Sequence, residues 1–106
     1  MKHEIVVQKL IAHTRKILGY CDGVSYAQFS ADSKLVEACV FNLSQMGELS
    51  NRIDATFAQA HPEIPWRQIY GLRNRLVHDY EGVNLTLIWE IIHDDLPPLL
   101  KQLKNL

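Results

Sequence analysis

Hydrophobic residues recur at helical spacing along almost the whole chain, and this periodicity constrains the fold more than any other feature. Near the start, Val6, Leu10 and Ile17 are separated by four and seven positions, which is the spacing of residues on one helix face. We predict a first helix over residues 3–20, ended by the turn signal Asp22-Gly23. Strand signals are almost absent, since even the β-branched start of the chain continues at helical spacing. An all-α fold is therefore expected.

The second predicted helix carries the widest hydrophobic stripe. Ser30 is a suitable N-cap residue, and Asp32 is expected in the first turn, near the positive end of the helix dipole. The helix is expected to extend to about residue 53 or beyond. A stripe this wide suggests burial against more than one neighbouring helix. Its members are Leu35, Val36, Cys39, Val40, Leu43, Met46 and Gly47.

Capping and proline signals define the remaining helices. Pro65 fits the first turn of a third helix, where its missing N–H costs nothing, and that helix is expected to end near Tyr80. Asn84 can cap a fourth helix, and Asp95 can cap a final segment in which the two following prolines lie in the first turn or produce a kink. The third helix carries Trp66, Ile69, Tyr70, Leu72, Leu76 and Val77, and the fourth carries Leu85, Ile88, Trp89, Ile92 and Leu96.

Length and composition are those of one globular domain. The chain has 106 residues, of which 47% are hydrophobic and 22% are charged, a composition typical of folded domains. We predict a single domain over residues 1–106, an antiparallel bundle of four long helices or, if Asp95 starts a new one, five. The net charge of -1 provides no overall attraction for nucleic acid, so RNA binding would need a local patch formed by Arg67, Arg73 and Arg75.

The other sequence features predict a cytoplasmic protein without a metal or cofactor. Cys21 and Cys39 are the only cysteines, and reduced, partly buried thiols are expected because their spacing fits neither a zinc site nor a disulfide scaffold. The consecutive residues His93-Asp94-Asp95 point apart on a helix, so they are not expected to chelate a metal. The start of the chain lacks the apolar run of a signal peptide. No stretch approaches the ~18 apolar residues of a membrane span.

The most distinctive polar residues lie at the end of the third predicted helix. Arg73, His78 and Tyr80 have the form Arg, four residues, His, one residue, Tyr. A permanently charged phosphate binder, a group that titrates near neutral pH and a phenol therefore lie within about two turns of one another. In a small helical protein this combination suggests metal-independent cleavage of RNA, or at least phosphate binding.

Helix geometry determines which of these side chains can meet. Asn74 and His78 are four residues apart and share a face, whereas Arg73 and His78 are about 140° apart around the helix axis. Either a bend at His78 or a two-fold dimer would bring them together. We favour the homodimer, because a two-fold interface pairs Arg73 of one chain with His78 of the other. A solvated helix end, with the histidine near the negative end of the dipole, is the alternative that residue types alone leave open.

Metal-independent RNA hydrolysis needs these residue types. His78 can act as base or acid, because imidazole titrates close to neutral pH. Arg73 can bind two phosphate oxygens at once. Asn74 can position the phosphate or orient His78. Tyr80 can donate a hydrogen bond or serve as an exposed hydroxyl for modification.

The run from Ile64 to Tyr80 resembles the signature of the HEPN superfamily and, more narrowly, of its DUF86 or HepT-like branch. The similarity continues upstream into residues 43–48, which are similar to that branch's Gly-Glu segment, and downstream into residues 83–84, 87–89 and 95–97. It therefore covers most of the chain from about Ser30 to the end. Arg73, His78 and Tyr80 match the family's Arg-x4-His-x-Tyr motif position by position.

The resemblance implies an all-α, homodimeric toxin of a toxin–antitoxin pair, in which the paired motifs form a metal-independent RNase site. It also implies a partner, an MntA-like nucleotidyltransferase antitoxin that transfers AMP from ATP to Tyr80. Each AMP would bring negative charge and bulk beside Arg73, where RNA phosphate is expected to bind. A non-catalytic helical module that presents substrate or nucleotide to the nucleotidyltransferase is the alternative, although it has no evident need for His78.

Glu48 has two interpretations. It can form a surface ion pair with Arg52, four positions later, or it can reach the third helix and orient Arg73 or His78. Gly47 would permit a close approach of that helix. Since glycine in a helix costs about 1 kcal/mol relative to alanine, its presence suggests a packing reason.

Overall fold

Every regular element that the structure describes is helical. The computed structural model describes residues 2–78 and 84–106, apart from the side chains at positions 2, 73, 77 and 78. Within those ranges no residue forms a strand, so the prediction of an all-α fold is confirmed. The elements are α1 (Lys2–Tyr20), α2 (Tyr26–Ala31), α3 (Ser33–Ser50), α4 (Ala55–Ala60), α5 (Trp66–His78), α6 (Leu85–Glu90), a π-helical turn (Ile91–Asp95) and α7 (Leu96–Lys104).

The four long predicted helices correspond to α1, α3, α5 and the uninterrupted run from α6 to α7. Two short helices, α2 and α4, occupy segments that were predicted as loops. Each is only six residues long, too short for hydrophobic periodicity to reveal it. The described chain therefore holds more helices than the bundle of four or five that the sequence suggested.

The predicted start of the second long helix is wrong because it merged two helices. Ser30 lies inside α2, where its hydroxyl donates to Ala27 O. The cap of α2 is Ser25, whose Oγ accepts from Gln28 N at 3.1 Å while its own N–H donates to the Gln28 side chain at 2.9 Å. Asp32, predicted in the first turn, is itself the N-cap of α3. This reciprocal capping box and the second cap divide the segment into two helices.

The other helix boundaries agree with the prediction in part. α3 ends at Ser50 rather than near residue 53, and α4 follows with its own cap at Asp54. Pro65 immediately precedes α5, and its carbonyl accepts from Ile69 N at 3.0 Å. The predicted cap at Asn84 is confirmed, because its Oδ1 accepts from Leu87 N at 3.0 Å.

Asp95 occupies the N-cap position of α7, with prolines in the first turn as predicted, but its side chain does not cap the helix. Asp95 makes no capping hydrogen bond through its side chain and lies within the π-helical turn that joins α6 to α7. The backbone N–H of Leu96 donates to Ile91 O, five residues earlier. Pro97 and Pro98 cannot donate backbone hydrogen bonds, and their rings would crowd the carbonyls of a regular helix. The wider π-turn immediately before them lets the helix continue.

The core lies around α3, which packs against α1 on one side and α5 on the other, while α7 packs against α1. This arrangement confirms that the wide stripe of α3 is buried against more than one neighbour. Among the described residues, no helix combines the length and apolar character needed to span a bilayer. The largest side chains with almost no exposure are Leu10, Ile17, Phe29, Leu43, Met46, Ile92, Leu96 and Leu103.

Polar atoms at the contact between α1 and α3 are paired. His13 Nδ1 donates to Asn42 Oδ1 at 2.7 Å, and Asn42 Nδ2 donates to Ala38 O at 2.8 Å. His13 must carry its proton on Nδ1, since the Asn42 oxygen can only accept. The buried Thr14 hydroxyl donates to Leu10 O at 2.8 Å. These bonds satisfy groups that would otherwise destabilise the interior.

Candidate functional site

The motif predicted from the sequence begins on α5. Arg73 and His78 lie within the backbone of this helix, and Asn74 between them is exposed. The side chains of Arg73 and His78, and the whole of Tyr80, lie outside the described residues. Convergence of the arginine, histidine and tyrosine therefore stays a prediction.

The orientation of α5 is fixed by its buried side. Ile69, Leu72 and Leu76 are 2–6% exposed and recur at the spacing of one helix face. At the start of the helix, Trp66 Nε1 donates to His61 O at 3.1 Å. The opposite side is polar and exposed, and it includes Arg67, Tyr70 and Asn74.

A small polar depression, which we name the Glu48 pocket, lies where α3 meets α5. It has a volume of about 70 Å³. Gly47 and Glu48 line it from the last turns of α3, and Asn51 lines it from the C-cap. Tyr70 and Asn74 line it from α5. The pocket therefore adjoins the stretch of α5 that carries the motif.

The lining groups of the Glu48 pocket are suited to hydrogen bonding. Glu48 supplies a carboxylate that accepts, Asn51 and Asn74 supply amides that both donate and accept, and the phenol of Tyr70 does either. Gly47 contributes no side chain to the lining. In the described part of the chain, no group of three His, Cys, Asp or Glu residues is placed to hold a metal ion.

Glu48 lies at the contact of α3 with α5. It is exposed and shares the pocket with α5 residues. Arg52 lies beyond the end of α3, in the following turn, so the two residues are not an i,i+4 pair within one helix. An orienting role of Glu48 toward Arg73 or His78 is untested by this geometry and stays a prediction.

Tyr70 is a site residue that sequence reasoning missed, because it was grouped with the apolar residues of its helix. Its side chain is 51% exposed, and it lines the Glu48 pocket. Tyr70 precedes Asn74 by four positions, so the two share a helix face. The four-residue spacing from Asn74 is the feature of the sequence by which Tyr70 could have been assigned to the site.

Of the three arginines proposed as an RNA patch, Arg67 and Arg75 have described side chains. Arg75 lines a different groove, of about 110 Å³, on the side of α5 that faces the π-turn and α7. Asp95 and Leu96 line the same groove. Arg67 is exposed and seven positions before Asn74, so it lies on the face of the helix that carries the pocket residues. Arg75 thus lines this second groove and not the Glu48 pocket.

His93 makes a local contact with Trp89. His93 Nδ1 donates to Trp89 O at 3.0 Å, and the two ring centroids lie 3.8 Å apart. Asp94 and Asp95 beside it are exposed. Solvation is therefore the better account of the two carboxylates, since neither provides the expected cap.

Comparison with known proteins gives a consistent result. A family model described as ribonuclease HepT-like matches residues 10–106. The protein named "Putative RNase" from Caldanaerobacter subterraneus subsp. tengcongensis is 38% identical over 79% of this chain and 75% of its own length. The "Probable ribonuclease HepT" of Thermococcus cleftensis is 34% identical over 78% of this chain and 76% of its own. A "Putative RNase" of Methanocaldococcus jannaschii is 27% identical over 90% and 87%. No solved structure shows a significant match to the chain.

Proposed function

The chain belongs to the HepT-like ribonuclease family, and we propose that it is a metal-independent RNA endonuclease, the toxin of a toxin–antitoxin pair. The observation that carries the proposal is the extent of the family match. It covers all of α3 and α5, and therefore includes Arg73, His78 and the Glu48 pocket beside them. A folded helix bearing these two residues is what the chemistry requires.

In the proposed reaction, His78 removes the proton from a 2′-hydroxyl of RNA, and the 2′-oxygen attacks the adjacent phosphorus. The bond from phosphorus to the 5′-oxygen breaks, and that oxygen takes a proton from a second acid. Arg73 binds the phosphate oxygens, whose negative charge grows in the transition state. A histidine suits the proton transfers because its pKa lies near the working pH.

The second acid is best supplied by another copy of the chain. Positions 73 and 78 point about 140° apart on one helix, so a two-fold dimer that pairs α5 with its partner completes two sites at once.

Phe41 supports this interface, because it is 59% exposed on α3. It lies seven residues before Glu48, on the same face of the helix. An exposed phenylalanine beside a polar site is suited to burial in a subunit contact.

The residues around the motif have supporting roles in this proposal. Asn74 positions the phosphate or orients His78, and Glu48 orients Arg73 or His78 from the neighbouring helix. Arg67 contacts RNA from the same face of α5. Arg75 contacts RNA from the other side of the helix, since it does not reach the Glu48 pocket.

Regulation in this proposal acts through Tyr80. A partner nucleotidyltransferase of the MntA type transfers AMP from ATP to the Tyr80 hydroxyl, with release of pyrophosphate. The added phosphate is negative and repels RNA phosphate from Arg73.

Incubation with such an enzyme and ATP should add one AMP to each modified chain, which intact mass measures. Tyr80→Phe should abolish the addition, and the exposed Tyr26→Phe should not.

The central experiment is RNA cleavage by the purified chain in excess EDTA, after intact mass has confirmed unmodified Tyr80. His78→Ala is the test variant. His93→Ala is the matched control, since His93 is exposed and lies on the π-turn. We expect cleavage by the wild type and by His93→Ala, and none by His78→Ala. Absence of cleavage by all three proteins would favour a non-catalytic module that binds the nucleotidyltransferase.

A further inference from the structure

A second cluster of chemically reactive atoms lies away from the Glu48 pocket, where the end of α1 meets α3. Cys21 Sγ lies 3.7 Å from Cys39 Sγ, and both cysteines are free. They are 5% and 0% exposed, respectively. The chain between them contains α2. The spacing of the two cysteines along the chain carries no indication that they would meet.

We propose that Cys21 and Cys39 form a redox-active dithiol that a peroxide-class oxidant closes to an intramolecular disulfide. The sulfurs of a disulfide are about 2.05 Å apart, so the two Sγ atoms must approach by about 1.7 Å. Rotation of the two side chains with a small helix displacement can supply that movement, because no other chain segment lies between the sulfur atoms at this separation. This inference is independent of RNA cleavage and of the family assignment.

The surroundings of the two thiols determine which one reacts first. Burial raises the pKa of both, and it raises the pKa of Cys39 to about 12. For Cys21, a hydrogen bond from the Cys39 thiol partly offsets the rise in pKa. Cys21 is therefore the more readily deprotonated thiol, and the thiolate is the nucleophile.

The chemistry balances with one peroxide molecule. The Cys21 thiolate attacks one oxygen of hydrogen peroxide, the O–O bond breaks, and a sulfenic acid forms with release of hydroxide, which takes a proton to become water. Cys39 then attacks the Cys21 sulfur, the S–O bond breaks, and a second water leaves. Two thiols and one hydrogen peroxide thus give one disulfide and two waters. The small size of peroxide suits it to a pair that larger oxidants reach poorly.

Closure would restrain the region around α2. The bond would link the residue after α1 to the middle of α3, and α2 lies in the enclosed loop. α2 in turn contacts α6, since the Phe29 and Trp89 ring centroids lie 5.1 Å apart and Tyr26 Oη lies 3.3 Å from Thr86 Oγ1. A cross-link that reduces the freedom of the unfolded chain also stabilises the fold.

The test uses the full chain, reduced and then exposed to hydrogen peroxide near neutral pH. Intact mass after alkylation in denaturant should show the loss of two hydrogens and no alkyl groups, and peptide mapping should link Cys21 to Cys39. The thermal midpoint should rise by several degrees, and dithiothreitol should reverse both changes. Amide exchange should slow more in α2 than in α7.

Single-cysteine variants identify the order of reaction. In Cys39→Ala, a sulfenic acid should be trapped at Cys21 by a dimedone-type reagent, because the resolving thiol is absent. In Cys21→Ala, labelling at Cys39 should be at least several-fold slower. The proposal is overturned if both native thiols remain open to alkylation after a peroxide dose that closes the pair in urea. Disulfides between chains, or sulfinic acid as the main product, would overturn it equally.

Discussion

The two sides of α3 differ in what they do with polar groups. The side that faces α1 buries Cys39, Asn42 and Met46, and the amide of Asn42 is paired with His13 and Ala38. The side that faces α5 ends in the Glu48 pocket, where a carboxylate, amides and a phenol line an open depression. One helix thus presents paired polar atoms to a core and the polar lining of an open pocket to a surface.

This difference separates stability from function along a single helix. Polar groups in a core stabilise only when they are paired, whereas a binding site needs polar groups that a ligand can reach. We therefore expect substitutions on the α1 side to change the free energy of unfolding. Substitutions on the α5 side and at the motif should change RNA cleavage or association at nearly constant stability.

The largest expected effect is on the rate of RNA cleavage, at Arg73 of α5. Arg73→Ala should lower the rate of RNA cleavage by about 10²-fold or more, because it removes the cation that binds the phosphate. Arg73→Lys should restore only part of the rate, since lysine cannot bind two oxygens in the same planar geometry. Single-turnover cleavage in EDTA measures both. Arg15→Ala, an exposed arginine on α1, is the control, and an equal loss in that variant would contradict a site at Arg73.

The next effect is on the core side, at Met46. Met46 is 0% exposed, and its Sδ lies 3.7 Å from Thr14 Oγ1 of α1. Met46→Ala should lower the free energy of unfolding by about 2–5 kcal/mol, because it leaves a cavity between α1 and α3. Urea denaturation measures the loss. The exposed Glu37→Ala on the same helix should stay within about 0.5 kcal/mol, and similar losses in the two variants would show that α3 has no distinct core side.

The division between the two sides was predictable only in part. The inward stripe of α3 follows from helical spacing, and the Asn84 cap follows from residue type. The meeting of Cys21 with Cys39, and the separation of Arg75 from the Glu48 pocket, depend on how helices are placed against one another. Short-range spacing carries no information on that placement. Tyr70 shows the same limit, because an aromatic residue at helical spacing belongs equally well to a core or to the edge of a pocket.

An intermediate effect is expected at the proposed subunit contact. Phe41→Asp should weaken self-association by about tenfold or more, because it places a charge where two copies would bury the ring. Sedimentation equilibrium of the wild type and the variant measures the change. Lys16→Asp, an exposed substitution on α1, is the control. A wild type that stays monomeric at all accessible concentrations would contradict the dimer.

A smaller effect is expected at Glu48, which we regard as a positioning residue. Glu48→Gln keeps the shape of the side chain but removes its charge, and it should lower cleavage by several-fold with little change in stability. The readout that separates positioning from packing is the pH profile of kcat/KM, whose midpoint should shift if the carboxylate acts on His78. Glu37→Gln on the same helix should change neither rate nor profile. A loss of stability without a change in profile would assign Glu48 to packing.

The smallest effect is a pH dependence on the core side. Burial raises the pKa of Cys39 from 9.0 to about 12, so above pH 9 the unfolded chain releases this proton while the folded chain keeps it. The stabilisation is fully present below about pH 9 and is lost as the pH rises toward 12, which amounts to about 1 kcal/mol between pH 8 and 10. Urea denaturation of the reduced protein at both pH values measures it. Cys39→Ala should lose less stability over this range than the wild type, because alanine has no proton to release. Equal losses would mean that the Cys39 thiol contributes nothing to the pH dependence. The core side of α3 would then tolerate a charge as well as the side that carries the pocket does.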